Sequence, residues 1–268
     1  MITRINVAGR ILRHSVASGF ADYSVMYTPL TWTFGWMARV LCQVAFFALI
    51  GRLLGSDEIT RYLLIGNAVM FVVIEACFVN ASTTWERRAG TLPLLVAAPV
   101  NPLTVFFGRS LFWLVTGTTS SSLALFILAP VFGVSLSWPT ALLAVPLILV
   151  VGFSTYCCAL MFAGIVLRFM NLRNVVGNII NLSVMAFCGV QVPRQFWPEA
   201  VQWITAFLPV SHGLQAIRDL LDGAAASTVL TGVALELAVA GGWLILAALS
   251  FRHLAEGGRK NGSIEFAN

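Results

Sequence analysis

Only 10% of the 268 residues are charged, so a charge inside or beside an apolar run is a candidate for chemistry. Four stand within long apolar runs: Arg39, Glu75, Arg109 and Glu236. If such a run crosses a membrane, each charge costs about 2.5–3.5 kcal/mol and needs a partner or a task. A second group lies between two runs, in "TTWERRAGTLPLLVAAPVNPLTVFFGRSL" (83–111). It comprises Glu86, Arg87 and Arg88, the turn Ala89-Gly90 and the short apolar stretch Thr91 to Pro99. Nothing here makes or breaks bonds. His14, His212 and His253 lie outside the apolar core at no catalytic spacing, and no Ser/His/Asp set, HExxH or carboxylate pair emerges. Cys42, Cys77, Cys157, Cys158 and Cys188 all fall in apolar runs without CxxC spacing, and read as structural thiols rather than metal ligands. The chemistry on offer is ion pairing and docking.

The elements that hold these residues follow from composition. Hydrophobic residues make up 59% of the chain, with a mean hydropathy of +0.88. Soluble domains carry about 25% charged residues. A bilayer, whose ~30 Å hydrocarbon core needs roughly 20 apolar residues per helix, is the fitting solvent. The expected class is an all-α integral membrane protein, since lipid offers backbone groups no partners and the runs lack the alternation of barrel strands. Residues 1–28 are too polar for the apolar part of a cleavable signal. The net charge of +5 is met by loop arginines and needs no nucleic acid. The excess of arginine over lysine is the composition of GC-rich bacterial genes.

Six spans are expected: 30–54, 62–84, 103–132, 139–167, 175–192 and 228–251. With the N-terminus inside, ten cations fall on the inner side (Arg4, Arg10, Arg13, Arg87, Arg88, Arg168, Arg173, Arg252, Arg259, Lys260) against four outside (Arg52, Arg61, Arg194, Arg218). That asymmetry places both termini in the cytoplasm. Residues 1–28 form an amphipathic interfacial helix, with Ile2, Ile5, Leu12, Val16 and Phe20 on one face and Arg4, Arg10 and His14 opposite; the plainer alternative is a solvated leader. The six-span domain covers 29–251, and 252–268 is a cytoplasmic tail. Before the last span, two short outer-leaflet helices are expected within 199–222. One follows Pro198 with Ala200, Val201, Ile204 and Leu208 on a face; the other follows Pro209 with Leu214, Ile217 and Leu221, and stops at Gly223.

Within this frame, Arg39, Glu75 and Arg109 fall ~13, ~13 and ~9 Å from the inner boundary at 1.5 Å per residue. They are expected to meet in one buried cluster, with an ionised Glu75 shared by two arginines. Such a cluster is either a gate or a pin between helices. Glu236 has no evident partner, although the outer helices near Arg218 are within reach. The small polar run Gly117 to Ser122 permits close helix packing, and Trp32, Trp36, Trp85, Trp138, Trp197 and Trp203 fall near predicted interfaces. In the stretch 83–111, Thr91 can cap a helix and Pro93 is tolerated in its first turn. Leu92, Leu95 and Val96 then share a side, and Pro99 closes the element. Physically this is either a peg that docks into a soluble partner or a loop packed on its own bundle.

The segment resembles the signature of the ABC-2 family of ATP-binding-cassette transporter permeases. Those chains carry, in their first cytoplasmic loop, a glutamate, two or three residues, Gly-Thr-Leu, a short helix and a proline. Here these are Glu86, Gly90, Thr91, Leu92, Leu95 and Pro99, with Gly108 in the next span. A second resemblance is "WPEAVQWITAFLPVSHGLQAIRDLLDG", with Pro209, Arg218 and Gly223 at the recurring positions. Two features depart from the family pattern: Pro93 stands where glutamate is usual, and Ala98 precedes Pro99 where Ser or Thr is common.

The resemblance implies that 91–99 is a coupling helix, with Arg87 and Arg88 beside it, receiving the motion of an ATPase. The chain has no GxxxxGK[ST] loop, so it carries no cofactor itself, and ATP and Mg belong to a separate subunit. Two permeases, identical or sibling, and two ATPases are implied in a bacterial plasma membrane. The path lies between the permeases, lined by the second and fifth spans. A hydrophobic or amphipathic drug-like cargo is the leading expectation, and a lipid-linked polysaccharide or lipid the runner-up. An intramembrane enzyme or a non-transporting scaffold are the alternatives of other classes.

Overall fold

The computed structural model describes residues 2–88, 90–97 and 101–261, and among them there is no strand. Helix α1 is Ile2–Met26. A π-helical segment, Thr31–Met37, runs into α2, Ala38–Leu53. Then come α3 Asp57–Cys77, α4 Val79–Arg88, α5 Leu92–Ala97, α6 Pro102–Ser110 and α7 Phe112–Val131. A single 3-10 turn leads into α8 Ala144–Val166, followed by α9 Arg173–Phe187, α10 Glu199–Ala206, α11 Ser211–Leu221 and α12 Ala226–Asn261.

Five stretches are long and apolar enough to cross a membrane among the described residues: 31–53, 57–87, 102–131, 140–166 and 226–257. They match five of the six expected spans. Helix α9, the expected fifth span, has 15 residues, ~22 Å at 1.5 Å per residue. That falls short of a ~30 Å core, because Cys188 breaks the helix and the turn at Gly189, φ +83°, follows. At the other end of the chain the last helix does not stop at 251. It continues to Asn261, so the described part of the expected tail is helical.

Local sequence explains the ends. Ser56 accepts the Ile59 N–H at 3.2 Å, and Asp57 and Glu58 follow in the first turn of α3, where the helix dipole favours negative charge. Asn101 accepts the Leu103 N–H at 3.0 Å, and Pro102 sits where its missing N–H is harmless. The second and third spans each contain a break. Phe78 separates α3 from α4, and Leu111 separates α6 from α7.

Helix α3 is the centre of the bundle. Every residue from Leu63 to Val73 is buried, enclosed by α2, α7, α8 and α9. The second span is therefore a core element of the protomer rather than a wall facing a neighbour. Helix α9 is more open, with Val175, Ile179 and Leu182 exposed. Further apolar surface lies on α2 and α12, where Phe46, Leu49, Leu235, Ile245 and Leu249 face outward as lipid-facing residues do.

Helix α1 packs on α6. Its buried seam is Ser15 and Gly19, with Leu12 and Val16 beside it, while Phe20 is exposed. The apolar face expected from periodicity is thus rotated. The reason is steric: a Cβ on Gly19 would lie 2.1 Å from the Arg109 carbonyl oxygen, and one on Gly108 2.6 Å from the Ser15 Cβ. Only small residues allow the two backbones this approach. The side chains of Ile2, Arg4 and Ile5 lie outside the described residues.

Candidate functional site

The α5 end of the bundle is organised around Glu86, which is buried near the end of α4. Its carboxylate accepts the Thr91 hydroxyl and pairs with Arg109 of α6. The Arg109 guanidinium also meets Asp22 of α1 at 2.6 Å. The Glu86 carbonyl accepts the Thr91 N–H at 3.0 Å, and Gly90, φ +70°, makes the turn between them. Only a residue tolerant of positive φ can do this at such a tight corner. Glu86 thereby ties the entry of α5 to α1 and α6 as well as to its own helix. Nearby, burial pushes the Tyr23 hydroxyl of α1 above its ordinary value, with the Glu75 carboxylate adding to the effect. Tyr23 packs on Phe112 and Trp113, ring centroids 5.2 and 6.1 Å away.

The other expected coupling residues divide. Arg87 donates to the carbonyls of Leu167 and Arg168 just past α8, where the helix dipole favours a cation. Leu92 is buried against Phe106, Leu160 and Phe251, and Leu95 is half-buried on the same cluster. Leu94 is 73% exposed. The Leu92/Leu95 side of α5, the side singled out from spacing, is the one that anchors the helix to the bundle. Leu94 borders an open groove of about 500 Å³ with Ile11, His14 and Val105. Pro99 and Ala98 lie outside the described residues, as do the side chains of Arg88, Pro93 and Val96.

The expected cluster of Arg39, Glu75 and Arg109 does not form. Glu75 and Glu86 are eleven residues apart, ~16 Å along a helix, and Arg109 sits at the level of Glu86. Glu75, itself buried, accepts the Trp36 indole N–H at 2.8 Å and the Ser120 hydroxyl at 2.6 Å. Arg39 is exposed and lies over the Trp36 ring, 5.2 Å from its centroid. Trp36 thus stands between Arg39 and Glu75, and hydroxyl and indole donors replace the two expected arginines.

At the opposite end, Glu236 of α12 is fully buried. Its carboxylate accepts the backbone N–H groups of Val210 (2.8 Å), His212 (3.1 Å) and Gly213 (2.9 Å). These are unpaired donors at the start of α11, satisfied here by an acid on another helix. Pro209 and Val210 are buried, and Val210 is held at φ +84°, a strained value for a β-branched residue. So Glu236 does reach the outer helices, but at the first turn of α11 rather than at Arg218.

Arg218 is also buried. It donates to the carbonyls of Gly189 (2.8 Å) and Tyr62 (3.2 Å) and lies 3.6 Å over the Tyr62 ring. Gly223, φ +77°, ends α11, and the N–H groups of Gly223 and Ala224 close back on Leu220 and Asp219. Leu214, Ile217 and Leu221 form the buried face of α11 as expected. The face expected for α10 is turned out instead: Ala200 and Ile204 are exposed and Thr205 is buried.

Sequence reading missed Asp22, Trp36 and Ser120 as partners, and Tyr62 beneath Arg218. Only Asp22 carried a visible signal, as the one acid in residues 1–28.

A helical bundle with five stretches long and apolar enough to cross a membrane, and an ionic node around buried Glu86 beneath a short apolar helix, is that of a multi-pass membrane protein of the transporter-permease class. The ABC-2 type transporter model matches residues 23–221, and the chain belongs to that family as a membrane permease component of an ABC transporter. The match runs from the end of α1 to the end of α11; it takes in Glu86, Arg109 and Arg218, while Asp22, Gly223 and Glu236 lie outside it. Comparison with curated proteins gives no significant match.

Proposed function

We propose that the chain is the membrane subunit of an ABC exporter, whose separate ATPase docks on α5 and drives outward movement of a hydrophobic or amphipathic molecule. The observation that carries this reading is the Glu86 node. A six-residue helix on a surface turn needs no ion pair to two other elements merely to close a loop. Binding Thr91, Arg109 and Asp22 into one network makes displacement of α5 felt by α1 and α6. Exposed Leu94 is the contact offered to the ATPase, while Leu92 passes the force inward.

Two such permeases and two ATPases form the working unit, with α5 and both termini at the cytoplasmic face of a bacterial plasma membrane. The exposed wall of α9 lines the path between permeases. A drug-like cargo fits this apolar wall better than a polysaccharide, which needs a polar track.

Tagged purification in mild detergent tests the docking. An ATPase should accompany the wild type and be lost from Leu94→Asp, whose expression and elution stay unchanged. Leu95→Asp should instead reduce the yield of folded protein, since that side chain packs on the bundle. Failure of any ATPase to co-purify with the wild type, even after crosslinking, would remove the exporter reading. Equal recovery with wild type and Leu94→Asp would move the docking surface elsewhere.

A further inference from the structure

At the α11 end a cavity of about 560 Å³ opens beside Arg218. Its lining includes Tyr62, Gly189, Arg194, Gln202 and Arg218. Arg218 is 7% exposed and spends its two terminal nitrogens on the Gly189 and Tyr62 carbonyls, leaving its buried Nε–H without a partner. The buried Nε–H of Arg194 is likewise unpartnered, and its other contact is a long 3.4 Å bond to the Gln202 carbonyl. The two side chains converge on Gly189. A Cβ there would lie 3.6 Å from an Arg218 terminal nitrogen and 3.7 Å from the Arg194 Cγ.

Two acids also line the cavity. Asp222 is engaged by Arg61 at 2.6 Å, and Glu58 is exposed at the edge. Neither forms an ion pair with Arg194 or Arg218 among the described residues. Two guanidinium groups therefore line one cavity, each with a buried Nε–H that has no partner among the described residues. Leaving a buried charged donor unsatisfied is costly, and the natural remedy is an anionic acceptor.

We propose that this cavity binds the phosphate group of an amphipathic molecule, held between Arg194 and Arg218. Arginine suits this role because its planar donors match phosphate oxygens. The cavity is several times the size of a free phosphate. Next in the chain to Gln202 of the lining, α10 exposes Trp203 and Ile204, and Phe207 follows it, an apolar surface on which an acyl chain can lie. The assignment rests on the exporter reading only for what the ligand means, as cargo or as a lipid that steadies α10 and α11. The binding itself does not require an ATPase.

The test is calorimetric titration of the purified permease, without ATPase, in neutral detergent with dihexanoyl phosphatidylglycerol, and separately with inorganic phosphate. Wild type should bind the lipid, and Arg194→Gln should weaken binding at least tenfold. Arg218→Lys, which keeps the charge but loses the planar donor, should weaken it by a similar factor. Gel filtration and thermal stability show whether each variant is folded. Binding of both probes, with competition, identifies the phosphate as sufficient; binding of the lipid alone identifies an amphipath as the ligand. Absence of lipid binding by the wild type, or undiminished binding by folded Arg194→Gln, overturns the proposal. ATPase co-purification is scored in parallel, so a failed phosphate site leaves the exporter reading intact and the converse also holds.

Discussion

Glu86 and Glu236 are both buried carboxylates beside a short helix, and they are satisfied by opposite means. Glu86 is held by side chains: the Thr91 hydroxyl and the Arg109 guanidinium, which also reaches Asp22. Glu236 is held by the backbone N–H groups of Val210, His212 and Gly213. Side-chain partners can exchange, since Arg109 has two acids within reach. Backbone donors belong to the helix they start and cannot change partners without unwinding it. The difference teaches that the α5 end holds an ion pair with an alternative partner in place, whereas α11 and α12 are tied through the backbone.

Removing Glu236 should have the largest effect. Glu236→Ala strands three buried N–H groups and should cost about 4 kcal/mol. For a chain of this size that lowers the melting temperature by roughly 10 °C, measurable in detergent. Glu236→Gln, which keeps one acceptor oxygen, should recover about half. An unchanged melting temperature for Glu236→Ala would end the contrast.

Gly19→Leu comes next. Its side chain meets the Arg109 carbonyl, so α1 must lift from α6, at a cost of about 1–3 kcal/mol. Trypsin cleavage after Arg10 or Arg13 should then quicken while the bundle stays intact. Glu86→Gln should cost about 1 kcal/mol, because Arg109 is partly solvated and keeps Asp22. Its sharper signature is functional: ATPase stimulation by cargo should fall while stability barely moves. If Glu86→Gln proves as damaging to stability as Glu236→Ala, the exchangeable node is instead a fixed pin. The smallest effect belongs to Leu94→Ser, within about 0.5 kcal/mol, read as lost ATPase recovery alone.

The bundle was legible where the signal was composition or a local cap. Five spans, α1, the two short helices before the last span and Gly223 after α11 all follow from apolar length and turn chemistry. The ion partners were less legible because span boundaries fixed the depth estimates. The second span runs past 84 to Arg88 and the third is broken at Leu111, so Arg109 lies level with Glu86 and out of reach of Glu75. The α1 seam was misread for another reason: apolar periodicity rewards Phe20, while close backbone approach rewards Ser15 and Gly19. Glu236 had no side-chain partner to find, and backbone donors leave no trace in composition.

Helix α12 joins the two ends that differ. Its 36 residues extend ~54 Å, of which ~22 Å separate Glu236 beneath α11 from Phe251 in the cluster that holds Leu92 of α5. A continuous helix of this kind connects its two bearings as a rod does, and is as stiff as its weakest turn. Gly241 and Gly242 lie between the bearings, with no neighbour near enough to crowd a Cβ. They are the rod's compliant joint, since glycine weakens a helix interior by about 1 kcal/mol per site. Gly241→Ala with Gly242→Ala should stiffen it without touching either bearing, and the ratio of cargo moved to ATP consumed would register the change.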